Sequence, residues 1–153
     1  MSPLRYGCAC VGVAALGAAI TTTATAGAGE AAAEEPPKLT GSMQCERAAE
    51  PGRVKCSVEA KVLGDRSIAW ADVALVELPE FTAALKGRIG PTDAVFRDAA
   101  SQKWAFGLIS RKAGNGEARA RVRAMVCERG VADAGATKCA ATTIDVRAVV
   151  HVG

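Results

Sequence analysis

Four cysteines are the residues of this sequence best suited to chemistry: Cys45, Cys56, Cys127 and Cys139. Ten residues separate the first two and eleven separate the second two. The sequence has six cysteines, and the four that follow the N-terminal segment, which we predict to be removed as a signal peptide, allow three connectivities. We predict the two local bridges, 45–56 and 127–139, because each pair brackets a predicted hairpin turn, where cross-strand Cβ atoms reach the ~3.5–4.5 Å that a disulfide needs. A structural zinc site is disfavoured, since zinc-binding cysteine pairs usually have two to four residues between them.

The two bridges are expected to differ in accessibility. Cys56 alternates in phase with Val54, Val58, Ala60 and Val62, which predicts a core-facing sulfur shielded from attacking thiolates. Cys127 shares parity with a row of arginines, which predicts an exposed sulfur near positive charge. We therefore favour a structural role for both bridges, and keep a redox role for Cys127 and Cys139 as the alternative.

A basic row is the second candidate site. Arg119, Arg121 and Arg123 lie on one face of a predicted strand, and Arg147 on the next strand extends the row. The functional interpretation is a site for an anion or an acidic partner. The interpretation we favour is a solvated outer face whose charges are balanced by carboxylates such as Glu117 and Asp145.

The remaining reactive residues form no recognisable catalytic pattern. His151 is the only histidine, and we expect it on the outward face of the last strand. The sequence contains no G-x-S-x-G motif. Gly114-Asn115-Gly116 is predicted to be a hairpin turn rather than a phosphate-binding loop. We predict no catalytic residue, no metal and no cofactor, and favour a protein that is not an enzyme.

The N-terminus is predicted to be a cleavable, bacterial-type signal peptide covering residues 1–26. Arg5 precedes an uncharged run of 13 residues, Cys8 to Ile20, and Ala24-Thr25-Ala26 supplies a small-x-small cleavage pattern. A second candidate cleavage pattern follows at Ala26-Gly27-Ala28. The alternative of a membrane anchor is disfavoured, because a membrane-spanning helix needs about 20 apolar residues. The protein is therefore predicted to be exported, to the periplasm or the medium.

Composition limits the partners of the mature chain. Loss of Arg5 with the signal leaves 18 basic and 16 acidic residues, a net charge of +2. This balance argues against nucleic acid as a partner, and the absence of a long apolar run argues against membrane insertion after cleavage. Residues 27–40 are predicted to be a flexible linker, followed by one domain over 41–153.

Apolar alternation at period two predicts that this domain is all-β. Core-facing sets run from Val54 to Val62, from Ala118 to Val126 and from Ile144 to Val152. In the region 68–78 the alternation slips near Asp72, which indicates a bulge or a break. One or two helical turns are expected over 79–87. About seven short strands at this spacing predict an immunoglobulin-like antiparallel sandwich.

The end of the chain resembles a known family. The stretch Arg119-Ala-Arg-Val-Arg-Ala-Met-Val-Cys127, followed by Cys139-Ala-Ala-Thr-Thr-Ile-Asp-Val-Arg-Ala-Val149, is similar to the C-terminal hairpin of the N-terminal periplasmic domain of the thiol:disulfide interchange protein DsbD. The resemblance implies an immunoglobulin-like sandwich with redox-active cysteines at Cys127 and Cys139. It supplies the alternative function, a periplasmic thiol–disulfide relay. The residues themselves favour a non-enzymatic module that binds another protein or a surface component.

Overall fold

The computed structural model describes residues 38–128 and 137–153. The predicted signal peptide, most of the predicted linker and residues 129–136 lie outside this part. The described part contains nine strands and one 3₁₀ turn, Pro91–Asp93. The strands are β1 Leu39–Cys45, β2 Arg53–Val62, β3 Arg66–Glu77, β4 Thr82–Ala84, β5 Arg88–Ile89, β6 Ala94–Arg97, β7 Ser101–Ser110, β8 Gly114–Glu128 and β9 Lys138–Val152.

The strands form two antiparallel sheets that pack as a sandwich, so the predicted all-β sandwich is confirmed. The first sheet has the order β1-β2-β7-β4, and β6 pairs with β7 beside β4. The second sheet has the order β5-β3-β8-β9. In the described residues no helix has the length and apolar character that crossing a membrane requires.

The buried residues of β2 and β8 are those that the apolar alternation of the sequence predicts to face the core. Each of the predicted inward residues of these two strands is buried, from Val54 to Val62 and from Ala118 to Val126. Most of them are valine or alanine, which contribute little volume each. The largest fully buried side chain of the described residues is that of Trp104 in β7. Its indole nitrogen donates a hydrogen bond to the carbonyl of Gly90 at 3.1 Å.

The helical prediction over 79–87 is wrong. That segment makes one turn, in which the amide of Thr82 donates to the carbonyl of Pro79, and then continues as β4 along the edge of β7. Strand pairing overrides the helical composition here, because β7 presents unpaired backbone groups on that side. The strand count exceeds the predicted seven because β4, β5 and β6 span only 3, 2 and 4 residues, too few to show a period.

The predicted turn at Gly114-Asn115-Gly116 is also wrong, because these residues begin β8. The glycines serve close packing. A Cβ atom at Gly114 would lie 2.8 Å from the ring of Phe81, and one at Gly116 would lie 2.9 Å from Cβ of Pro79.

The first strand begins inside the predicted linker. Leu39 belongs to the range predicted as linker, but it lies in β1 and is only 2% exposed.

Candidate functional site

The structure contains both predicted local bridges. One points between the two sheets, and the other lies on an outer face. Cys45 of β1 lies directly opposite Cys56 of β2, with 4.0 Å between their Cα atoms. Both side chains point between the sheets. Cys56 is 3% exposed and Cys45 is half-buried. This bridge belongs to the core, as predicted for Cys56.

The second bridge joins the two last strands on the outer face of the second sheet. Cys127 of β8 lies opposite Cys139 of β9, again with 4.0 Å between Cα atoms. Cys139 is exposed, but Cys127 is only 6% exposed, which corrects the expectation that it would be open to solvent. The physical reason is position: β8 is a central strand, so Cys127 is flanked by Ser67 on β3 and by Cys139.

An irregularity in β3 places a tryptophan beside this bridge. The pairing of β3 with β8 shifts register between Ile68 and Trp70, leaving Ala69 as an extra residue. Such a bulge re-aims the side chains that follow it. Ile68 therefore points into the core at 5% exposure, whereas Trp70, of the same parity, lies on the outer face at 40% exposure.

Trp70 heads a row of exposed apolar side chains. It lies opposite Met125 of β8, which is 37% exposed and in turn lies opposite the exposed Ala141 of β9. Cys139 follows in the next row of the same face. We call these four residues, Trp70, Met125, Cys139 and Ala141, the Trp70 patch.

A buried carboxylate fixes one side of the patch. Asp72 is 1% exposed although it lies on the outer face, because two guanidinium groups cover it. Arg123 donates to it from Nε at 2.9 Å and also from its Nη2, and Arg88 donates from Nε at 2.8 Å. The hydrogen bonds to Asp72 raise the pKa of Arg123. The Arg123 guanidinium carbon also lies 5.9 Å from the Trp70 ring centroid, within the range of a cation–π contact.

The predicted basic row lies on this same outer face, and each of its arginines has an acidic partner. Arg121 pairs with Asp145 at 2.8 Å, and the remaining pairs are Arg119–Glu77, Arg123–Asp72 and Arg147–Glu117. The hydrogen bond from Arg121 holds the pKa of Asp145 below its usual value, which favours the charged carboxylate. The arrangement matches a balanced outer face rather than an open anion site.

The other predicted features contribute no second constellation. His151 lies near the end of β9, half-buried, and its carbonyl accepts a hydrogen bond from the amide of Ala48. Within residues 38–128 and 137–153, no group of three or more His, Cys, Asp or Glu side chains is placed to hold a metal.

A polar recess of about 370 Å³ lies near the Cys127–Cys139 bridge, since Ser67, which pairs with Cys127, is one of its lining residues. The other lining residues are Gly64, Asp65, Arg66, Ala99 and Thr137.

Sequence reasoning missed Trp70, which belongs to the patch, and Asp72, which fixes Arg123 beside it. A signal was present, because an aspartate within the apolar run 68–78 requires a charged partner. The partners, however, lie on β5 and β8, and Arg123 is 51 residues further along the chain. Only the register of the sheet brings them together.

Fold and site together define a two-sheet, disulfide-bonded β-sandwich with an apolar patch beside its outward bridge. Disulfides are typical of proteins that fold in oxidising compartments. No protein family and no curated protein matches the chain. Among solved structures, it is similar to "Crystal structure of BslA - A bacterial hydrophobin", at 9% identity, with 76% of this chain and 96% of that chain covered and a TM-score of 0.32.

Proposed function

We propose that the protein is an exported, non-enzymatic module that binds another protein or a surface component through the Trp70 patch. The observation that carries the proposal is the exposed Trp70–Met125–Ala141 row on the outer face of the second sheet. Tryptophan and methionine are enriched at the centres of protein interfaces, and tryptophan and arginine dominate binding hot spots. Export, by way of the predicted signal peptide, would place the two bridges in an oxidising compartment.

The surroundings of Trp70 favour binding over a purely structural role. Its ring lies on the outer face, outside the core, and Arg123 holds one side of it. Arg123 is itself fixed by the buried Asp72. A ring that is already ordered loses little conformational entropy when a partner covers it, and this preorganisation increases affinity.

Replacing Trp70 by alanine tests this proposal. We expect the variant to weaken partner binding by about thirtyfold, the loss typical of an interface hot spot, at a cost of about 1 kcal/mol in stability. The measurement compares the proteins that co-purify with the exported chain and with the variant. Lys55→Ala, on the exposed outer side of β2 in the other sheet, is the matched control. Identical retention of partners by Trp70→Ala and by the wild type would contradict the proposal.

A second candidate function, a thiol–disulfide relay, is favoured by one observation: the Cys127–Cys139 bridge opens onto the patch and Cys139 is exposed. In such a relay, a thiolate of a dithiol reductant attacks the sulfur of Cys139. The Cys127 sulfur leaves as a thiolate and takes up a proton, and the second thiol of the reductant resolves the mixed disulfide. Two electrons thus pass to the bridge, which becomes two thiols, while the reductant becomes a disulfide.

Treating the native protein with a thioredoxin-type dithiol and alkylating free thiols distinguishes the two functions. For a binding module we expect no labelling of either bridge before unfolding. The reason is that attack at Cys139 must expel the thiolate of Cys127, and burial at 6% exposure disfavours that charge. Rapid labelling of Cys127 and Cys139, with Cys45 and Cys56 unlabelled, would instead establish the relay. The core-facing bridge is the internal control.

A further inference from the structure

Strand β9 forms one edge of the second sheet, and no strand of residues 38–128 or 137–153 pairs with most of that edge. The strand spans 15 residues, Lys138–Val152, and pairs on one side with β8. Among the described residues, its other side is bonded only near the C-terminus. There the amide of Ala48 donates to the carbonyl of His151, and the amide of Gly153 donates to the carbonyl of Ala48.

The nearby strand β1 packs against the inward face of β9, and between these two strands there is no backbone hydrogen bond. Gly41 of β1 lies against the inward side chains of Ile144 and Val146, since a Cβ atom at Gly41 would be 2.7 Å from Cδ1 of Ile144 and 3.1 Å from Cγ1 of Val146. Packing of this kind uses side chains, so it does not satisfy the outward backbone groups of β9.

Two observations show which backbone groups point outward. In an antiparallel pair, residues that face each other at short Cα distance are not hydrogen-bonded to each other, and the 4.0 Å separation assigns Cys139 to this class. Its N–H and C=O therefore point away from β8. The odd-numbered residues of β9 share this orientation, and the bonds of Ala48 with His151 and Gly153 agree with it.

This edge lacks the devices that usually protect an edge strand. Proline, bulges and lysine are common protections, whereas residues 139–149 contain no proline or lysine, and the pairing of β9 with β8 runs without a register shift. The only charged residues in this range are Asp145 and Arg147, of opposite sign and two positions apart.

We propose that the edge of β9 pairs antiparallel with β9 of a second copy of this chain, centred on Val146 and limited to residues 143–149 of each strand, because Ala48 occupies the edge next to His151 and Gly153. Centring on Val146 places Asp145 opposite Arg147 of the partner subunit, and the two-fold axis repeats the pair. In this register each odd-numbered residue lies opposite an odd-numbered residue of the other strand. The outward N–H and C=O groups of the two strands can therefore form hydrogen bonds with each other. Opposite charges in directly facing positions stabilise a strand pair.

The dimer joins two four-stranded sheets into one sheet of eight strands. Because the two-fold axis is perpendicular to that sheet, both outer faces lie on the same side. If the Trp70 patch binds as proposed, the dimer presents two patches to one surface, which increases avidity. The dimer itself does not depend on the proposed function.

A proline scan of the edge tests the pairing, with sedimentation equilibrium of the exported chain over a concentration series as the readout. Thr143→Pro removes an outward N–H that β8 does not use, so we expect dimerisation to weaken at least about tenfold while the melting temperature changes little. Thr142→Pro is the matched control: it removes an amide that bonds to β8, so we expect the melting temperature to fall.

Charge variants test the register. Arg147→Asp places like charges opposite each other twice and should weaken the dimer, and adding Asp145→Arg should restore it. Glu117→Gln removes the intrachain partner of Arg147 at 3.4 Å without opposing like charges, so the dimer should persist. A protein that stays monomeric across the whole series, or a dimer whose strength Thr143→Pro leaves unchanged, would overturn the proposal.

Discussion

Replacing Trp104 by alanine is expected to lower the free energy of unfolding by about 3–5 kcal/mol, the usual cost of deleting a buried large aromatic side chain. Trp104 is the largest fully buried side chain of the described residues, in a core built mainly of valine and alanine. Those neighbours are too small to fill the space that the indole leaves. The variant also leaves the carbonyl of Gly90 without its 3.1 Å hydrogen bond. Urea denaturation monitored by circular dichroism measures the change.

Trp70→Ala is the matched control for this prediction, because it deletes the same side chain from the outer face. Its cost should be about 1 kcal/mol, since the ring is 40% exposed. Comparable losses from the two variants would show that Trp70 belongs to the core and that the assignment of the second sheet's outer face is wrong.

Removal of the core-facing bridge is expected to cost more than removal of the outward one. The sequence separations are 11 and 12 residues, so chain entropy assigns nearly equal stabilisation to both, about 3 kcal/mol each. The difference between the bridges therefore reports packing. Each double variant deletes one buried sulfur, that of Cys56 at 3% exposure or that of Cys127 at 6%. The variant Cys45→Ala/Cys56→Ala also deletes the half-buried sulfur of Cys45 from between the sheets, which adds a cavity cost of about 1 kcal/mol, whereas Cys139 is exposed.

The comparison is the double variant Cys127→Ala/Cys139→Ala, which removes the outward bridge beside the exposed Cys139. Thermal denaturation of both double variants under identical conditions ranks them. A larger loss for the 127–139 pair would show that the outward bridge carries more of the fold than its position indicates.

The sequence predicts the buried residues of a strand correctly where apolar and polar residues alternate along the whole strand without a slip. β2 and β8 run through without interruption on the core side, so their buried residues follow from period two alone. The alternation of β3 changes phase, because its pairing with β8 shifts register at two places, between Ile68 and Trp70 and between Leu75 and Glu77. The sequence indicates a slip near Asp72, and the structure places the irregularities on both sides of it. A bulge reverses the facing of later residues, and its position depends on the neighbouring strand.

The short edge strands could not be predicted for a related reason. Thr82–Ala84 becomes β4 because β7 has unpaired groups beside it, which is a property of the assembled sheet. Gly114 and Gly116 have the composition of a turn, but the nearby Phe81 and Pro79 determine their role as close-packing positions. Local composition contains neither fact.

The two bridges and the arginine row can be predicted from the sequence, whereas the Trp70 patch cannot. The pairing of the cysteines follows from their spacing, and the balanced charges of the arginine row follow from the facing carboxylates Glu117 and Asp145. The contact of Trp70 with Arg123 requires the bulge at Ala69, and the burial of Asp72 requires arginines from two other strands. These long-range contacts turn separate residues into a patch.

Site-specific photo-crosslinking in the cell that produces the protein tests most directly whether the Trp70 patch binds a partner. A photoreactive benzoylphenylalanine replaces Met125, which lies opposite Trp70 and leaves the tryptophan intact. We expect a discrete adduct with another protein that is lost when Trp70→Ala is added, and no such adduct from the same probe at Lys55 on the other sheet. The same adducts from both positions, or an adduct at position 125 that persists without Trp70, would contradict binding through this patch.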